Sequence, residues 1–197
     1  MKLNKLFQKT DAFLDVHYKR LSMKYNPEKY MHPMMLFIRD NHNNNLVGVE
    51  IGVREGYNAE NMLLSLSIKK LFLVDPYLEY PLRCQKDQGY MYGYMIKNIG
   101  KYKERVEIIK MLSSAAVRYI PDDLDFVFID GNHDYDFVKK DIELYYPKVK
   151  DGGVFGGHDY CYGYPGVIEA VDEFIEREGL SLFRVEHDWW VVKGHKV

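Results

Sequence analysis

At 197 residues the chain is long enough for one sizeable core and too short for two comfortable domains. Its 27 basic and 29 acidic residues give a net charge of -2, which excludes a broad positive field and makes nucleic acid a poor expected partner. Two cysteines, Cys84 and Cys161, exclude a disulfide framework and stand in no metal-binding spacing, as expected in a reducing compartment.

The opening stretch MKLNKLFQKTDAFLDVHYKR is broken by charges every few residues, and no run approaches the roughly 18 apolar residues of a membrane span. A cytoplasmic protein with no membrane partner is the expectation. Apolar residues recur at helical spacings over 1–40, first Leu6, Phe7, Phe13 and Leu14, later Met34, Met35, Leu36 and Phe37, with breaks at Pro27 and Pro33. They predict a helical extension, residues 1–45, that ends in the polar run DNHNNN. The body of the chain occupies 46–197.

LVGVEIGV, rich in Val and Ile, opens that body as a strand over 46–52. The pattern then alternates: helix 57–67, strand 70–74, helix within 88–101, strand 105–109, short helix 113–119, strand 124–129, helix 135–146, strand 152–157 and helix 165–178. Such alternation predicts an α/β fold of βαβ units on a parallel sheet, and the continuous apolar runs LFLV and FVFI suit strands covered on both faces. Two final strands, 180–186 and 189–194, are separated only by His187 and Asp188, too little for a parallel crossover. They predict a hairpin, hence one antiparallel strand in a mostly parallel sheet. Of Trp189 and Trp190 on that hairpin, one is expected to bury and the other to face a subunit contact.

Gly52 and Gly56 lie between the first strand and its helix, where a glycine loop lets backbone approach a ligand. Asp75, 23 residues beyond Gly52, ends the next strand, where a carboxylate can hydrogen-bond the ribose of a nucleoside cofactor. Asp130 ends FVFID, and His158 with Asp159 end GVFGGHD; in a parallel sheet these ends open on one edge. Two carboxylates and an imidazole could ligate a divalent ion; oxygen-rich donors favour magnesium or calcium, and manganese tolerates the nitrogen. Without a metal, His133 or His158 could take a proton as base, since histidine titrates near neutrality. Asp134 reads as a helix cap. Phe137, Val138, Ile142 and Tyr145 or Tyr146 recur as a core stripe. Tyrosines crowd the same region, at 57, 77, 80, 90, 92 and 94 and in DYCYGYPG at 160, 162 and 164; they suit a ring or sugar substrate.

VEIGVREG, LVDPY and IDGNHDYDFVKKDIELYYPKVKDGGVFGGHDY together resemble the motif series of class I S-adenosylmethionine-dependent methyltransferases, in the small-molecule O-methyltransferase branch, over about 46–194. The resemblance implies a Rossmann-like, seven-stranded sheet with a reversed strand. It also implies a cofactor site of Glu50, Gly52, Gly56, Asp75 and Asp130, with Ser113 and Ser114 near the adenine. The branch often binds a divalent metal through the acids at these strand ends, here Asp130, His158 and Asp159; where relatives carry a pair of acids, this chain has His158-Asp159. The expected activity is metal-assisted O-methylation of a small hydroxylated molecule such as a sugar or phenol. A non-methylating or nucleic-acid-modifying enzyme on the same fold, or a noncatalytic binding protein, is the alternative. Aromatics beside the N-terminal extension make a homodimer the expected assembly.

Overall fold

The computed structural model describes residues 26–42, 44–78 and 87–195. Leu6, Phe7, Phe13, Leu14, Tyr80 and Cys84 lie outside them. A 3-10 turn, Pro27–Tyr30, leads into helix α1, Pro33–Asn41. The body follows as β1 Leu46–Ile51, α2 Tyr57–Ser65, β2 Ile68–Val74, α3 Gln88–Ile99, β3 Val106–Ile109, α4 Ser113–Ala116 and β4 Leu124–Ile129. It ends with α5 Tyr135–Tyr145, β5 Val149–Gly157, α6 Pro165–Glu178, β6 Phe183–Val185 and β7 Asp188–Val192.

The seven strands are ordered β3-β2-β1-β4-β5-β7-β6, and β7 alone runs against its neighbours. The chain winds outward from β1 to β3, then returns to place β4 on the other side of β1. That reversal makes the carboxyl ends of β1 and β4 the switch point where open α/β sheets receive ligands.

Alternate residues of each strand feed two cores. Leu71, Leu73, Phe126, Phe128 and Trp190 face one side, where α1, α2 and α3 pack through Met34, Met35, Ile38, Ala59, Met62, Met91 and Met95. Val49, Ile51, Val127, Ile129, Phe155 and Trp189 face the other, against Val138, Ile142 and Tyr145 of α5 and Val167, Val171 and Phe174 of α6. The result is a three-layer α/β/α sandwich in which α1, though part of the extension, shares the first core.

Three expectations change. Trp189 and Trp190 are both buried, one in each core, because the strand beneath them is covered on both faces and offers neither a subunit contact. Phe137 is exposed: α5 turns Asp141, with Val138, Ile142 and Tyr145, inward instead. The hairpin turn is Glu186-His187, with Val185 paired to Asp188, so Asp188 is a buried strand residue.

Candidate functional site

The loop after β1 is shaped by a close approach to β4. Gly52 has φ 87°, and a Cβ there would overlap the Asp130 carbonyl oxygen. Only glycine fits both demands. Gly56 has φ 75° at the N-terminal boundary of α2, with a Cβ position 3.0 Å from Met95 Cγ. Asp75 closes the loop from the end of β2: its Oδ2 accepts from the Val53 and Arg54 amides at 2.9 and 3.0 Å, and its Oδ1 from Tyr77 at 2.8 Å. Of roughly four acceptor positions on a carboxylate, about one is left for a ligand hydroxyl.

Beneath this loop opens a cavity of about 210 Å³ lined by Tyr30, His32, Glu50, Gly52, Val53, Arg54, Glu55, Tyr57, Asn58 and Asp130. Glu50 is 1% exposed; one of its oxygens accepts from Asn58 Nδ2 at 3.0 Å and the other, Oε2, has no partner among the described residues. Burial, aided by repulsion from Asp130 and Asp75, raises its carboxyl well above the usual range despite the Asn58 bond. A buried acceptor without a donor is costly, and a ligand hydroxyl or amine reaching Oε2 would relieve it. This orphaned oxygen, with the glycine loop above it, fits a nucleoside cofactor. Ser113 and Ser114 lie elsewhere: the Ser113 carbonyl accepts from Tyr145 on α5, Ser114 is exposed, and neither lines the cavity.

At the ends of β4 and β5, Asp130, His133, His158 and Asp159 converge. Asp159, with a left-handed φ of 63°, is 2.6 Å from His133 Nε2 through Oδ2 and 3.0 Å from His158 Nδ1 through Oδ1. Burial alone would raise the Asp159 carboxyl, but the two imidazoles hold it below the usual range. Asp130 Oδ1 lies 4.0 Å from His158 Nδ1, and burial, with repulsion from Asp159, pushes its carboxyl up to about 6 against the pull of His158. Burial works against protonation of His158, yet Asp159, Asp130 and Asp188 raise it on balance. His133 stacks on Tyr164 at 4.3 Å between centroids, which fixes the ring plane. Donor atoms of Asp130, His133 and Asp159 lie within 4.8 Å of one another, while His158 faces Asp159 through Nδ1 and turns toward Asp188 of β7 through Nε2. Hard oxygens and one imidazole fit a magnesium or manganese ion.

Tyr30 and Tyr57 line the cavity, while other tyrosines lie outside it. Tyr77 is buried with its hydroxyl donating to Arg54 O, Tyr160 donates to Asp172, and Tyr162 is 99% exposed. Two residues escaped the sequence reading: His32, at the entrance to α1, and Asp188, at the start of β7, meet at 2.9 Å beside His158. The His-Asp pair repeated at 133–134, 158–159 and 187–188 was the available signal. Nothing local ties any of these pairs to His32.

A family described as a methyltransferase domain matches residues 49–160. An uncharacterized protein of Acanthamoeba polyphaga mimivirus is 31% identical over 136 residues, covering 66% of this chain and 59% of that protein. The chain thus spans less than two thirds of that relative's length. Among solved structures, the fold is similar to the O-methyltransferase NovP, with a TM-score of 0.61, 19% identity and coverage of 81% and 78% of the two chains. It is equally close to an rRNA methylase from Streptococcus thermophilus, with a TM-score of 0.59, 15% identity and coverage of 81% and 92%. At these identities the likeness is one of fold.

Proposed function

Since the chain belongs to the methyltransferase domain family, we propose that it transfers a methyl group from S-adenosylmethionine to a hydroxyl of a small molecule, with a divalent ion assisting. The observation that carries the reading is the position of Asp130. It lines the cavity under the glycine loop and also the small hollow formed with Gly131, Asn132, His133 and His158, so donor and acceptor would meet at one wall.

When bound, the cofactor supplies an electrophilic sulfonium methyl, and magnesium or manganese supplies a Lewis acid that lowers the pKa of an acceptor hydroxyl. The chain's own residues do the rest. Glu50 and the Gly52 loop hold the nucleoside, and Asp75 acts by closing that loop and through its remaining acceptor position. Asp130 and Asp159 would hold the ion through their carboxylates. His133, oriented by Asp159 and Tyr164, accepts the hydroxyl proton at Nδ1 when Nε2 is bonded to Asp159. Positioning accounts for much of the rate in such a transfer, because nucleophile and methyl must lie in line.

A small acceptor fits the aromatic and acidic surroundings better than RNA: the cluster around Asp130 is ringed by carboxylates that would repel phosphate. The test is transfer of a labelled methyl from S-adenosylmethionine to catechols, phenols and sugars, with magnesium, manganese or chelator present. Labelling of one of these classes that falls at least about tenfold in His133→Ala supports the reading. Labelling of RNA alone would favour the nucleic-acid alternative.

A further inference from the structure

The Asp188 carboxyl group, in a residue only 1% exposed, is seated between two imidazoles on the side of His158 away from Asp159. Its Oδ2 accepts from the Met34 amide at 3.0 Å, which fixes the carboxylate plane. Its Oδ1 faces His32 Nδ1 at 2.9 Å and His158 Nε2 at 3.9 Å. The second distance is too long for a hydrogen bond. His158 Nδ1 lies 3.0 Å from Asp159 Oδ1, so Nε2 is the ring nitrogen turned toward Asp188. A cation between Asp188 and the two imidazoles would engage all three groups.

The spacing suits such a cation. Ligands about 2.0–2.1 Å from a tetrahedral zinc lie roughly 3.4 Å apart, and the two distances from Asp188 bracket that value. All three donor atoms are within 4.8 Å of one another, and the His32 and His158 rings meet edge to face, at 85°, with centroids 4.9 Å apart. Two outer contacts already orient the ligands: Asp159 sets the His158 tautomer, and the Met34 amide holds Asp188. Charge points the same way. Among the described residues, the ion pairs of Asp130, Asp159 and Asp188 involve only histidines, with no Lys or Arg.

We infer that His32, His158 and Asp188 form a binding site for a zinc-class divalent ion, separate from the magnesium-type site at Asp130 and Asp159. Two imidazoles and one carboxylate select zinc or cobalt over magnesium. His32 also lines the large cavity, so the ion's remaining position opens toward the bound cofactor or acceptor. The ion ties the entrance of α1 to β5 and β7, and a loaded site therefore holds Tyr30 and His32 at the wall of the cavity. The inference stands whether or not the chain transfers methyl groups.

The experiment is titration of chelator-stripped protein with zinc by calorimetry and with cobalt(II) by visible absorption. The proteins compared are the wild type, His32→Ala, Asp188→Asn and the double variant Asp130→Asn with His133→Ala. The expected result is one zinc per wild-type chain, affinity reduced at least about tenfold in His32→Ala and in Asp188→Asn, and a site retained in the double variant. The cobalt bands should shift in His32→Ala and keep their position in the double variant. Folded wild-type protein that takes up no zinc overturns the inference. So does zinc binding that survives His32→Ala unchanged, or that disappears only in the double variant, which would assign the ion to the Asp130 site. Asp188 lies in the core; should its variant not fold, the partly exposed His32 decides.

Discussion

Glu50 combines a stability cost with a binding role, and the two separate by substitution. Its carboxyl is raised in the fold, so ionisation disfavours the folded state increasingly as pH climbs above the unfolded value of about 4.3 toward the folded one. Glu50→Gln is expected to melt higher than wild type without cofactor, with a gap that is small near pH 4 and widens toward neutrality, while its cofactor affinity falls. Melting curves across pH check the first part; a wild type more stable at every pH would contradict it. His158 has the opposite sign. Its folded pKa is raised, so its pairing contributes fully below about pH 6.5 and is lost as pH rises through the higher folded value. In chelator-treated protein, the stability gap between wild type and His158→Gln should therefore be larger at pH 6 than at pH 9.

At the scale of elements, β7 and α1 depend on each other. Trp190 stacks on Phe183 at an interplanar angle of 10° and packs on Phe37 of α1, while its Nε1 has no hydrogen-bond partner among the described residues. Packing therefore matters more than the indole N–H. Trp190→Phe should be tolerated, whereas Trp190→Ala should cost about 3–5 kcal/mol and loosen α1, measured by denaturant titration and hydrogen exchange. Equal losses in both variants would contradict this.

The order and type of these elements were legible because the strands of the body are apolar runs and the helices are amphipathic, so local pattern and tertiary environment agree. The reversed final strand was legible from the two-residue turn. The burial of both tryptophans was not, since a terminal hairpin gives no local sign that α1 will cover its second face. Asp130, His158 and Asp159 were readable as strand-end residues on one edge. The role of Asp75 in closing the loop, and the meeting of Asp188 with His32, depend on contacts 22 and 156 residues apart in the chain. The spacing that placed Asp75 after the glycine loop does not show its bonds to Val53 and Arg54, and no spacing rule spans the distance from His32 to Asp188.

At the scale of the molecule, the crossover from β3 to β4 makes one edge of the sheet chemically distinct. It brings the glycine loop, the unpartnered Glu50 oxygen and the Asp130 cluster together, while Tyr30 and His32, just before α1, line the side. On this reading the edge binds the nucleoside of the methyl donor. Calorimetric titration with S-adenosylhomocysteine tests it in wild type, Gly52→Ala and Asp130→Ala. The expected result is micromolar binding by wild type, loss of at least about tenfold in Gly52→Ala, where the new Cβ meets the Asp130 carbonyl, and a smaller loss in Asp130→Ala. No binding by folded wild-type protein, or binding indifferent to Gly52→Ala, would contradict it.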